Sequence, residues 1–238
     1  MLSNTTGEQE GLIKLSFDVQ DSKVQVEDRM FYQDIKHLFL SPDPAPMAQE
    51  YRLKYCMLGV TMGDNKTPFV VSVVDAFGTF LDYITLPNFG RGIKSPEKQK
   101  DIGILRNFIK DRKPIGIAIA SGGVSANNTK RDLQRICDDL YDEKALKYKA
   151  GIELVDSQCA QIFALSKRSK EEFGDYPDSI RTSISIARTL QDPLLEYAGL
   201  AKYPQELCAL NLDRGQDILS KEEFYTLICR VLIDIVNK

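Results

Sequence analysis

The residues able to do chemistry in this chain are few, and they are widely spaced. Asp175 and Asp178 lie on either side of Pro177. As carboxylates they could give hard oxygen ligands to a divalent cation, or they could cap the helix that Pro177 starts. His37 is the sole histidine and lies in a segment without clear periodicity, so a nucleophile–histidine–acid triad is not expected and His37 reads as a surface or packing residue. Five cysteines (Cys56, Cys137, Cys159, Cys208 and Cys229) are scattered, whereas zinc sites and disulfide frameworks need close, paired spacing. Four of them fall inside apolar patterns and read as small core residues of a reducing compartment. Gly122-Gly123 is followed by no Gly-Lys-Ser/Thr, so it is not a nucleotide loop. It reads as a strand-to-helix turn, or else as a phosphate contact at a helix start.

The remaining chemistry is charge. Arg91, Lys94, Lys98, Lys100, Arg106, Lys110, Arg112 and Lys113 cluster in one predicted helix and its flanks, opposed by Glu97, Asp101 and Asp111. A second group is Lys167, Arg168 and Lys170. Such runs are either solvated helix faces or phosphate contacts without base readout. Under the second reading the nucleic-acid candidates are Arg91, Lys94, Lys98, Arg106, Lys110, Lys167 and Arg168. Phe89 and Phe108 are the nearest aromatics, too few for a single-strand stacking platform. The net charge is −3, so any nucleic acid must meet a local basic patch.

The elements that position these groups follow from periodicity. With 43% hydrophobic and 27% charged residues over 238 positions, the chain suits one domain with appendages. No apolar run approaches the roughly 20 residues that cross a bilayer, and the polar start carries no signal peptide. Residues 1–50 read as an appendage with a possible strand at Leu12–Asp18, a helix at Glu27–Leu40 and a proline-rich linker. Tyr55–Val60, Phe69–Val74 and Thr79–Leu86 then read as strands of an antiparallel meander, with a turn at Ala76–Gly78. Pro96 starts a helix, Ile115–Ala120 is a strand, and Ser121–Asn128 is a polar loop. Thr129–Lys144 is an amphipathic helix, with Leu133, Ile136, Cys137 and Leu140 on one face. Gly151–Val155 is a strand, and Ser157 opens another helix. Pro177 starts a helix through Ile180, Ile184, Ala187 and Leu190, Asp192-Pro193 starts the next, and Ser220 with Glu223 forms a capping box for the last. The order βββαβαβα predicts an α/β, ribonuclease-H-like domain over 51–200: a mixed five-stranded sheet flanked by helices, with a C-terminal helical extension over 201–238.

One segment carries a family resemblance. Ser185-Ile-Ala-Arg-Thr-Leu-Gln-Asp-Pro-Leu-Leu-Glu196 resembles a hallmark of the transcription elongation factors that comprise bacterial Tex and its eukaryotic relative, suppressor-of-Ty six. Gly151–Asp156, Phe173–Pro177, Phe80–Phe89 and Val231–Asn237 are similar, in order, to further segments of that family, and lean toward its eukaryotic branch. The resemblance covers about residues 52–238 and implies a YqgF-like domain, with a helix-hairpin-helix region following it in the family.

The resemblance also says where a site should be. Active members of the wider fold hold two divalent metals with acids at the end of the first strand, after the fourth strand, and at a late helix. Here Thr61 stands at the first position, with Asp64 three residues late. Asn128 falls on the second, and Asp175 or Asp178 remains for the third. One acid of three implies a domain that is not an enzyme and takes no cofactor, metal or small-molecule substrate. The implied role is non-catalytic: a scaffold in a nuclear elongation factor and histone chaperone associated with RNA polymerase II and histones, with weak RNA or DNA contact and no membrane. The alternative is a metal-dependent nuclease of the YqgF, Holliday-junction-resolvase type.

Overall fold

The computed structural model describes residues 55–63, 68–92, 95–121, 123–212 and 216–237. The expectations for residues 1–50, His37 among them, and those for Asp64, Lys94 and Gly122 lie outside the described residues.

The apolar runs form a five-stranded sheet: β1 (Met57–Thr61), β2 (Phe69–Val74), β3 (Phe80–Leu86), β4 (Gly116–Ala120) and β5 (Gly151–Val155), in the order β3-β2-β1-β4-β5. β1 and β2 pair antiparallel, as do β2 and β3, while β4 runs parallel to both β1 and β5. This is the mixed five-stranded sheet expected from the order of elements, with further helices following it in the chain. β1, β2 and β4 are buried along their whole length, which is why they read as continuous apolar runs rather than alternating ones.

Helices cover both faces. On one face lie α1 (Pro96–Arg112) and α2 (Gly123–Asp142), whose Leu105, Ile109, Leu133 and Leu140 share a core with Leu58, Val60 and Val71. On the other are α3 (Gln158–Leu165), α4 (Lys167–Phe173) and α5 (Asp178–Gln191). There Phe163, Phe173, Ile180, Ile184 and Ala187 pack on Val70, Val74 and Ala118. α6 (Pro193–Leu200), α7 (Pro204–Leu207) and α8 (Lys221–Val236) gather a third cluster around Leu200, Leu207, Phe224, Ile228 and Leu232. The capping box of α8 is present as expected, with Ser220 and Glu223 each serving the other's backbone N–H. No helix among the described residues is long and apolar enough to cross a membrane.

Two boundaries differ most from the sequence reading, and Ser157 opens its helix as expected but without a side-chain bond. β1 extends through Thr61. α2 starts at Gly123, so most of the expected polar loop is its first turns. Gly, Ser and Asn have low helix propensity, but Ala126 and Thr129 are buried and extend the stripe of Leu133, Ile136 and Leu140 toward the N-terminus. Packing overrides propensity there. At α3 the Ser157 side chain makes no capping bond; Asp156 accepts from Gln158 N–H at 3.1 Å instead.

The seam between α5 and the sheet is unusually close. A β-carbon at Gly59 would collide with the Ser183 carbonyl and stand 2.7 Å from Ala187 N, so only glycine fits beneath the helix. Ser72 and Ser183, both fully buried, satisfy each other through their hydroxyls. At the β3 edge, Tyr83 N–H donates to Asp82 Oδ1 at 2.8 Å, and Asp82 is held by Arg112.

Denaturant melts provide the check on this seam. Ile184→Ala, at a fully buried site, should cost about 2–5 kcal/mol. Gly59→Ala removes no contact, yet it should lower the midpoint as well. An unchanged midpoint for Gly59→Ala would mean that the helix does not ride on the β1 backbone.

Candidate functional site

The parallel strands β1, β4 and β5 end on the same side of the sheet, β1 at Thr61, with Ser121 following β4 and Asp156 following β5. α5 begins at this end, because Thr61 Oγ1 donates to the Ser179 carbonyl at 3.5 Å. Thr61 is buried, and its hydroxyl closes a contact between strand and helix. Asp178 opens α5 with an exposed carboxylate ion-paired to Arg181, and Asp175 is exposed in the preceding turn. Neither caps the helix: the N-cap is Pro177 and α5 has no side-chain capping bond, so the capping reading of these two acids is corrected. Asp178 acts instead through its charge in the first turn, next to the helix dipole. Asn128 is exposed on α2, inside the helix rather than at the strand end. Among the described residues, no group of three or more His, Cys, Asp or Glu side chains could hold a metal ion.

The basic candidates fall on both faces of the sheet. Lys98 is buried, 2.7 Å from Asp132, with its ammonium over the Phe89 ring, so it is corrected from a solvent-facing contact to an internal tie between α1 and α2. Arg106 is half-buried and bridges Asp139 and Glu143. Arg168 lies over Phe163 at 4.7 Å and against Gly199, across the sheet from Arg106. Arg91 is exposed and 3.6 Å from Glu97; Lys167 is exposed and 3.6 Å from Glu171; Lys110 is exposed. These residues form no continuous strip. Sequence reasoning passed over Arg131 and Arg135, which are exposed on α2; their i, i+4 spacing was the available signal.

The segment Ser185–Glu196 is where polar geometry is densest. Ser185 Oγ donates to Glu196 Oε2 at 2.6 Å. Arg188 Nε donates to the Gly78 carbonyl at 2.7 Å, while its guanidinium pairs with Glu172 at 2.6 Å and lies over Phe173. The Gln191 amide donates to the Asp75 and Ala76 carbonyls. Asp192 caps α6 by accepting from Leu195 N–H at 3.0 Å, with Pro193 next in line. The long-range polar links of Ser185, Arg188 and Gln191 join α5 to the β2–β3 turn, α4 or α6, so the segment is a packing device and Arg188 points inward.

A family model described as Holliday-junction resolvase-like of SPT6 (YqgF) matches residues 54–201. The chain belongs to this family. It is 28% identical over 171 residues to the suppressor of Ty 6 homolog of Caenorhabditis elegans, covering 70% of this chain and 11% of that protein. It is 27% identical over 181 residues to transcription elongation factor SPT6 of Drosophila melanogaster, covering 74% of this chain and 10% of that one. With SPT6 of Saccharomyces cerevisiae it is 26% identical over 231 residues, covering 94% of this chain and 16% of the relative. The chain therefore spans between a tenth and a sixth of the length of these relatives. Among solved structures, Thermus thermophilus RuvC in complex with a Holliday junction substrate is similar at 13% identity and a TM-score of 0.38, covering 61% of this chain and 95% of that one.

Within this YqgF domain, one titratable group of the Ser185–Glu196 segment is out of its ordinary range. Burial pushes the Glu196 carboxyl up, against the opposing pull of the Ser185 hydroxyl and of Arg188 and Arg168. Arg168 is 3.9 Å away, too far to offset the desolvation fully. The folded chain thus holds this proton more tightly than the unfolded chain does. The stability from this group is full below the ordinary carboxylate pKa and is lost as pH rises through the raised folded value. Glu196→Gln keeps an acceptor for Ser185 and should flatten the dependence, gaining on the parent more at about pH 8 than at about pH 4. Asp192→Ala should cost about 1 kcal/mol at about pH 8. Melts that show no difference in pH slope between Glu196→Gln and the parent would place the ionised carboxylate comfortably in the fold.

Proposed function

We propose that this YqgF domain is a non-catalytic interaction module of a nuclear transcription elongation factor and histone chaperone. In this reading it associates with an elongation complex that contains RNA polymerase II and histones. The family match and the SPT6 relatives support the setting. The observation that carries the non-catalytic part is Thr61. At the position where the family resemblance expects a carboxylate to bridge two metals, this chain has a neutral, buried hydroxyl engaged with the Ser179 carbonyl. The Asp178 carboxylate is already paired to Arg181, and Asn128 sits within α2, away from the strand end. This donor set does not fit a pair of hard divalent cations, which need several converging carboxylates.

The division of labour proposed along the chain is an appendage at 1–50, the YqgF domain at 51–200 and a helical extension at 201–238. The nuclease alternative requires Asp175 and Asp178 to act with acids from elsewhere.

Two measurements test the proposal. The chain, incubated with single-stranded, duplex and four-way-junction DNA in Mg²⁺ or Mn²⁺, should leave all three intact. Cleavage abolished by Asp175→Asn or Asp178→Asn would establish the nuclease instead. Immobilised chain should retain components of purified elongation complexes, and retention of none of them would remove the interaction role.

A further inference from the structure

We propose that the exposed face of the first half of α2, carrying Asn127, Asn128, Arg131 and Arg135, docks on the phosphate backbone of a nucleic-acid duplex. This inference rests on reading the domain as one that binds rather than cuts. It assigns the contact to residues outside both basic groups singled out from the sequence.

The ridge exists because α2 starts at Gly123. Once those turns are helical, Asn127, Arg131 and Arg135 stand at i, i+4 and i+8, with Asn128 beside them, and all four are exposed. The opposite face, through Ala126, Leu133, Ile136 and Leu140, is buried against the sheet, so the ridge cannot turn away from solvent. Arg131 and Arg135 rise about 6 Å apart along the helix, within reach of neighbouring phosphates on one strand.

The acids nearest the two arginines have other cationic partners. Asp132 is held by Lys98 at 2.7 Å and is almost buried, and Glu153 on β5 is met by Lys130 at 3.4 Å. Asp138 and Asp139 come later on the helix, next to Lys149 at 3.3 Å and Arg106 at 3.8 Å. Arg131 and Arg135, by contrast, have no ion pair among the described residues. They are guanidiniums, which suit phosphate oxygens, and the two asparagine amides add neutral donors.

A duplex fits better than a single strand. Stacking on unpaired bases needs exposed rings, and the exposed ring of α2, Tyr141, lies past the end of the ridge with the Lys149 ammonium over its face. A row of donors without rings can hold a backbone, and it reads no sequence.

Fluorescence anisotropy at low salt on the whole chain, with matched duplex DNA, duplex RNA and single-stranded probes, tests this. Arg131→Glu/Arg135→Glu should weaken duplex binding at least about tenfold and take roughly 1.8 from the slope of log K against log salt, about 0.9 per phosphate lost. Lys202→Glu/Arg230→Glu makes the same change in net charge elsewhere on the surface and should stay within about twofold of the parent. All four positions are exposed, and equal melting midpoints would show that both variants fold. Equal losses in the two variants, tighter binding to the single strand, or no duplex binding by the parent would each overturn the inference. None of these outcomes touches the absence of cleavage, which the Mg²⁺ and Mn²⁺ incubations read separately. Similar affinity for duplex DNA and duplex RNA is the expected signature of the shared backbone; a large preference for one would point to groove shape instead.

Discussion

The distance between α5 and β1 is the constraint on which most of this domain depends. Gly59 lets the Ser183 carbonyl and the Ala187 amide come down onto the strand backbone, and the paired hydroxyls of Ser72 and Ser183 remove the cost of burying two polar groups there. A helix held that close has little freedom to slide or rotate. Its distal residues therefore arrive at fixed partners: Arg188 at the Gly78 carbonyl, Gln191 at Asp75 and Ala76, and Ser185 at Glu196. The same placement brings the start of α5 to Thr61. The most recognisable segment of the chain is thus conspicuous for how it locks, while the place where chemistry is expected is closed by a threonine.

Much of the fold was legible because it rests on local patterns. β1, β2 and β4 stand out as apolar runs since both their faces are covered, and the α6 and α8 caps follow from residue type and spacing alone. The start of α2 was illegible because Gly, Ser and Asn signal a loop, and only the tertiary burial of Ala126 and Thr129 reverses that signal. For the same reason Asn128 was read as a residue of a strand-end loop, and Arg131 and Arg135 were not joined to it. The partners of Arg188 and Gln191 were beyond local reasoning too. The Arg188 bond to Gly78 spans 110 residues, and no periodicity encodes which turn a helix will meet.

Charge in this domain is arranged largely as long-range ties. Lys98 with Asp132, and Arg106 with Asp139 and Glu143, link α1 to α2 at both ends of their shared seam. A count of lysines and arginines along α1 overstates its capacity for phosphate, because the best-placed members are neutralised by the neighbouring helix. The exposed pairs contribute little to stability one at a time. Lys98 differs, since it is buried with its partner and with an aromatic face, where loss of one member leaves an uncompensated charge.

The β3 edge bears on how the domain behaves in company. At Tyr83 the strand's free amide is occupied by the carboxylate of the residue before it, and that carboxylate is anchored by Arg112 from the end of α1. A foreign strand laid along β3 would have to displace an acceptor already in place and bring its own carbonyl up to a negative charge. Edge-to-edge growth, the usual route from an open sheet to a fibril, therefore meets a chemical stop in the middle of this strand. An edge finished in this way can be held at high local density beside many other polypeptides without recruiting their strands along β3.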